Sequence, residues 1–201
     1  MEIITGALAI VARMLSGVSV RWLECVPDTC QRVYFANHTS HLDPLIIWSS
    51  LPADVRTLTR PVAAKDYWER GRVRRYLAKQ FKAMLIDRHE VKAHNSPVDI
   101  MIREIGDVYS LILFPEGGRN PDPEMREFKS GLYYLVKKRP DLELVPVHME
   151  NLQRVLPRGE FVPVPLLSRV TFGPPMFLLA HERKNDFLHR AREAVLQLKD
   201  Q

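Results

Sequence analysis

Six short strand-like runs stand along this chain at intervals that leave room for a helix between them. They are 32–36 (RVYFA), 57–64, 83–87 (AMLID), 110–114 (SLILF), 142–148 and 169–172. The intervening segments read as helices. Pro44 starts one over 45–50, a basic one spans 66–82, and Asn95-Ser96-Pro97 opens the next, with Val98, Ile102 and Ile105 behind it. Another covers 129–138, and Phe187, Leu188, Ala191, Val195 and Leu198 mark the closing helix. Strand and helix in alternation predict an α/β domain with a largely parallel sheet. In such sheets ligands gather beyond the carboxyl ends of the strands. Three polar clusters follow strands in this way, at 37–43, 87–88 and 115–119, so they are expected to share one site.

The chain has 201 residues, which suits one domain. With 46% hydrophobic and 26% charged residues it has enough apolar mass for a packed core, and disorder is excluded. The longest stretch without Asp, Glu, Lys, Arg or His is 170–180, and it contains Gly173, Pro174 and Pro175. A membrane-spanning helix needs about 20 mostly apolar residues, so no span is predicted. The apolar stretch 3–12 has no basic lead-in and is not expected to be a signal peptide. Cys25 and Cys30 are too few for a disulfide framework or a complete metal site, which fits a reduced cytosolic compartment.

At the N-terminus, 3–22 fit a helix with Ile4, Leu8, Val11, Leu15, Val18 and Trp22 on one side. The domain reading is therefore an amphipathic segment over 1–24, which either packs on its own domain or lies in a membrane interface, followed by the main domain over 25–201. The net charge of +5 is concentrated. Between Arg56 and Lys92 eleven basic residues face four acidic ones, a local +7. That segment is either a solvated helix face or a docking surface for an anionic partner. It carries no recognisable nucleic-acid motif, so nucleic acid is not expected as the partner.

His38-Thr-Ser-His-Leu-Asp43 places a histidine five residues before an aspartate (HX4D). When such a segment crosses from loop into helix, the carboxylate can hold one ring nitrogen and leave the other to take a proton. This is the base and its orienting acid from a Ser-His-Asp triad, with the hydroxyl supplied by the substrate. Two other readings stay open here. An Asp before Pro is a good helix N-cap, and His38, His41 and Asp43 together are a candidate metal set of the kind a phosphohydrolase uses. In Phe114-Pro-Glu-Gly-Gly-Arg119 the glycines let backbone N–H groups approach an anion, and Arg119 can fork onto phosphate oxygens. Glu116 there either orients Arg119 or accepts a substrate hydroxyl. Arg88, ending Ile86-Asp87-Arg88, is a further phosphate candidate, as is Lys129 at the helix start Phe128-Lys129-Ser130-Gly131.

In this order and spacing the blocks resemble the glycerolipid acyltransferase superfamily, and in particular bacterial 1-acyl-glycerol-3-phosphate (lysophosphatidate) acyltransferases. That family is recognised by Asn-His-x-Ser-x-x-Asp, matched at Asn37, His38, Ser40 and Asp43. Its Phe/Ile-Asp-Arg block is matched at 86–88, its Phe-Lys-x-Gly block at Phe128, Lys129 and Gly131, and its Val-Pro-Val strand at 145–147. Phe-Pro-Glu-Gly-Thr-Arg is matched except that Gly118 stands in place of Thr, which leaves room for a bulkier acceptor such as a lyso-aminolipid as the alternative to lysophosphatidate. The resemblance implies that His38, oriented by Asp43, deprotonates the free hydroxyl of a lysophospholipid, which then attacks the thioester of acyl-CoA or acyl carrier protein. It implies no cofactor and no metal. It gives Glu116, Gly117 and Arg119 to the glycerol phosphate, with Arg88 and Lys129 beside them. It also implies a peripheral enzyme of phospholipid biosynthesis on the cytoplasmic face of the cell membrane. A non-catalytic lipid-binding protein is the reading from another class.

Overall fold

A computed structural model describes residues 6, 10, 12, 13, 17–87, 96–120, 122, 124–151, 168–199 and 201, with Val73 as backbone only. Seven strands form one sheet: β1 (Ser19–Trp22), β2 (Arg32–Ala36), β3 (Thr59–Ala64), β4 (Met84–Ile86), β5 (Ser110–Leu113), β6 (Glu143–Glu150) and β7 (Arg169–Phe172). Their spatial order is β1-β7-β6-β2-β5-β3-β4. Every pairing is parallel except β6 with β7. The expected α/β architecture with a mostly parallel sheet is what the chain adopts. Among the described residues, no helix is long and apolar enough to cross a membrane.

The centre of the sheet explains its own sequence. β2 is buried along its whole length, as a parallel strand covered on both faces must be. Its side chains alternate: Tyr34 and Ala36 pack into one core layer, Val33 and Phe35 into the other. The first layer is closed by α1 (Asp43–Ser50), through Ile46, Ile47 and Trp48. The second is closed by α5 (Pro97–Ile105), α6 (Gly131–Lys138) and α7 (Lys184–Leu196), through Met101, Leu132, Leu135 and Phe187. Ser96 caps α5, its hydroxyl accepting the Asp99 N–H at 3.2 Å, and Pro97 follows as the first helical residue.

Two expectations are corrected. The helix read over 3–22 does not reach Trp22: 19–22 form β1, registered in parallel on β7. Val20 and Trp22 point inward while Ser19 and Arg21 are exposed, a period of two that the helical reading absorbed at Val18 and Trp22. The gain is contact, since Trp22 stacks flat on Phe172 with ring centroids 3.9 Å apart. Most of 1–16 lies outside the described residues. The single basic helix read over 66–82 is two helices, α3 (Lys65–Trp68) and α4 (Arg72–Gln80). Gly71, at φ +93°, breaks them with a conformation that L side chains rarely adopt. A short α2 (Ala53–Thr57) precedes β3.

Candidate active site

β2, β3 and β5 are adjacent and parallel, so their carboxyl ends open on one edge of the sheet. The loop 37–42 leaves β2, α3 leaves β3, and 114–119 leave β5. They wall a cleft of about 570 Å³ that contains His38, His41, Asp66, Tyr67, Gly117, Gly118, Arg119 and Lys129. Its apolar part is lined by Val62, Ala64, Ile86, Pro97, Met101 and Leu113.

His38 Nδ1 lies 2.9 Å from Asp43 Oδ2. Asp43 is fully buried, and the same oxygen accepts the Thr39 N–H at 2.7 Å and the Ser40 N–H at 2.9 Å. Its carboxylate is therefore turned back into the loop. It does not cap α1, in which it is already a helical residue, so the N-cap reading fails here. A carboxylate beside Nδ1 makes that nitrogen the protonated one and leaves Nε2 as the basic lone pair. The His38 ring is held flat against Phe114, with centroids 4.2 Å apart.

The loop is also held by its backbone. Asn37 bridges to β6, donating to the Met149 carbonyl and accepting the Met149 N–H, each at 2.9 Å. The His38 carbonyl accepts the Asn120 N–H at 2.7 Å. Glu116 is 5% exposed; Oε1 accepts the His38 N–H at 2.8 Å and Oε2 the Arg126 N–H at 3.1 Å. Both oxygens are occupied and Glu116 is absent from the cleft wall. The structure thus places Glu116 as a brace between two loops.

Gly117 and Arg119 do line the cleft. Gly117 has φ +74°, and a Cβ built there would fall 2.6 Å from Lys129 Cδ and 2.8 Å from Nζ. Only glycine lets the lysine arch over this turn and bring its ammonium to the cleft that Arg119 also lines. Arg88 lies outside the described residues. His41 does not join His38 and Asp43 as a third metal ligand. It stacks on Tyr67, with centroids 4.5 Å apart and planes 12° apart, and its Nε2 is 3.2 Å from the Tyr67 hydroxyl. Among the described residues no group of three or more His, Cys, Asp or Glu is arranged to hold a metal ion. Tyr67, a cleft residue on which Arg74 also lies with its guanidinium carbon 4.2 Å from the ring centroid, was not announced by the sequence. Its signal was the aromatic pair Tyr67-Trp68 inside a basic segment.

A paired histidine and aspartate, a cationic glycine-lined turn and an apolar slot in one cleft suit an acyl-transferring class of enzyme. Residues 17–150, about two thirds of the chain, match the family model Acyltransferase, and the chain belongs to that family. Its fold is shared with a solved structure, the 1-acyl-sn-glycerophosphate (LPA) acyltransferase PlsC from Thermotoga maritima. The TM-score is 0.75 at 17% identity, over 98% of this chain and 80% of that one. No curated protein sequence matches the chain.

Proposed function

We propose that this acyltransferase moves a fatty acyl group from acyl-CoA or acyl carrier protein to the free hydroxyl of a lysophospholipid. The acceptor implied by the motif blocks is 1-acyl-glycerol-3-phosphate, and the product phosphatidic acid. The observation that carries the reading is the His38–Asp43 pair at 2.9 Å on the wall of a cleft that also presents Arg119 and Lys129. His38 Nε2 takes the proton of the acceptor hydroxyl as its oxygen attacks the thioester carbonyl. The tetrahedral adduct collapses by breaking the C–S bond, and the imidazolium returns the proton to the leaving sulfur. Products are the ester and a free thiol, with no acyl-enzyme. A base of this kind contributes about 10²–10⁴-fold. Arg119 and Lys129 suit the acceptor phosphate, and the apolar slot suits an acyl chain.

The reading includes a peripheral position on an anionic membrane surface, at the cytoplasmic face. Its support is the outward side of α4, where Arg72, Arg75, Tyr76 and Lys79 are all exposed at helical spacing. The opposite side of α4 buries Ala78 and lays Arg74 on Tyr67, a cleft residue, so the cationic face sits next to the cleft. Basic residues near an anionic leaflet contribute about 1 kcal/mol each.

The test is thiol release from acyl-CoA and from acyl carrier protein against a panel of lysolipids, with the esterified product identified by mass. Ester formation that His38→Ala abolishes supports the reading. Liposome binding with no thiol release for any acceptor returns the chain to lipid binding alone.

A further inference from the structure

Among the described residues, the cleft carries charges that its own wall does not neutralise. Asp66 on α3 and Arg119 and Lys129 beyond β5 all line it. Among the described residues none of these three side chains makes an ion pair or a side-chain hydrogen bond, with one another or with anything else. By contrast, other charged groups near the cleft have partners: Asp43 Oδ2 and both Glu116 oxygens accept backbone N–H groups, and Arg74 lies on the face of Tyr67. Two cations and one carboxylate left open in one cleft match a ligand that carries both signs.

Gly118 supplies the second observation. It lines the same wall, between Gly117 and Arg119. A Cβ at 118 would meet no heavy atom within 4 Å, and its φ lies outside the left-handed region. Unlike Gly117, then, Gly118 is demanded neither by packing nor by backbone conformation. What the missing side chain leaves is open volume beside the two cations.

We propose that the acceptor cleft takes a lysophospholipid whose phosphate bears an amino substituent of the ethanolamine kind. Arg119 and Lys129 bind the phosphate, the space left by Gly118 admits the linking carbons, and Asp66 pairs with the ammonium. Tyr67 does not serve as a cation-binding ring, because His41 covers one face and Arg74 the other. The carboxylate of Asp66 is the recognising group. The inference rests on the reading of the chain as a lysolipid acyltransferase and names the head group for that site.

The experiment compares kcat/KM for four acceptors: 1-acyl-glycerol-3-phosphate, its phosphoethanolamine and phosphoglycerol analogues, and the N-acetylated phosphoethanolamine. The phosphoglycerol and N-acetyl compounds match the size of the amine without its charge. The wild type is expected to favour the amine over both by about fivefold, the discrimination that a solvent-facing ion pair supports. Asp66→Asn brings that ratio to about one. Gly118→Thr lowers every substituted acceptor relative to the bare phosphate. An amine preference that survives Asp66→Asn, a wild type without amine preference, or a Gly118→Thr variant with unchanged acceptor ratios overturns the proposal. If the wild type acylates the bare phosphate alone, the head-group assignment falls while the acyl-transfer reading stands. If it acylates none of the four, both fall.

Discussion

Glu116 holds His38 by the backbone: its Oε1 accepts the histidine N–H at 2.8 Å while its Oε2 accepts the Arg126 N–H. His38 is thus fixed at two points, its ring by Asp43 and its main chain by a carboxylate from the neighbouring strand end. Glu116→Gln keeps the shape but turns one acceptor into a donor that faces an N–H. The expected result is a kcat lower by about tenfold, the worth of one hydrogen bond to a charged group, with the acceptor KM little changed. Steady-state thiol release separates this from an acceptor contact, which would raise KM instead.

Asp43→Asn tests the other anchor. The amide cannot stabilise the imidazolium that forms during transfer, and it loosens the bonds from Thr39 and Ser40. A kcat loss of about 10²–10⁴-fold is expected. Because His38 and Asp43 act as a unit, His38→Ala with Asp43→Asn should be no slower than His38→Ala alone. Multiplying losses in the double variant would show that the two residues work separately.

The architecture was legible because β2, β5 and β6 are buried on both faces and so read as continuous apolar runs. The His38–Asp43 pairing was legible because its spacing is local, five residues across a loop-to-helix junction. What the sequence hid depends on distant partners. The role of Glu116 is set by the His38 N–H, 78 residues away in sequence, and short-range pattern carries no trace of it. β1 was hidden because Val18 and Trp22 satisfy a helical period as well as an alternating one. Only the ring of Phe172, available once β7 is in place, decides for the strand. The break at Gly71 was visible as a glycine, but a lone glycine inside a helical pattern is often tolerated.

The glycines at 117 and 118 should respond differently to the same change. At Gly117 alanine adds a left-handed φ penalty of about 1–2 kcal/mol and displaces Lys129 from the turn. Gly117→Ala is therefore expected to unfold at lower denaturant and to raise the acceptor KM, as Lys129→Met does without the stability cost. Gly118→Ala should leave stability unchanged or slightly raised, since the added methyl meets nothing. Urea midpoints for the variants, set beside acceptor KM values, check both halves.

Away from the site, Glu182 and Arg190 form a forked pair, with Nε to Oε1 and Nη2 to Oε2 both at 2.7 Å, that ties the turn before α7 to the helix. The hydrogen bonds from Arg190 hold the Glu182 carboxyl below its ordinary range. A carboxylate with a depressed folded pKa contributes stability that is present above its unfolded value. That contribution is lost as pH falls through the folded one. Glu182→Gln is thus expected to lower the unfolding free energy by about 1 kcal/mol at neutral pH, the upper end for a surface pair, since this one is partly buried. The gap from wild type should close as the medium is acidified below the ordinary glutamate range. Acyl transfer at neutral pH should persist, because neither residue lines the cleft. Denaturant melts of the two proteins across an acid series read the gap directly, and a constant gap at every pH would assign the loss to packing rather than charge.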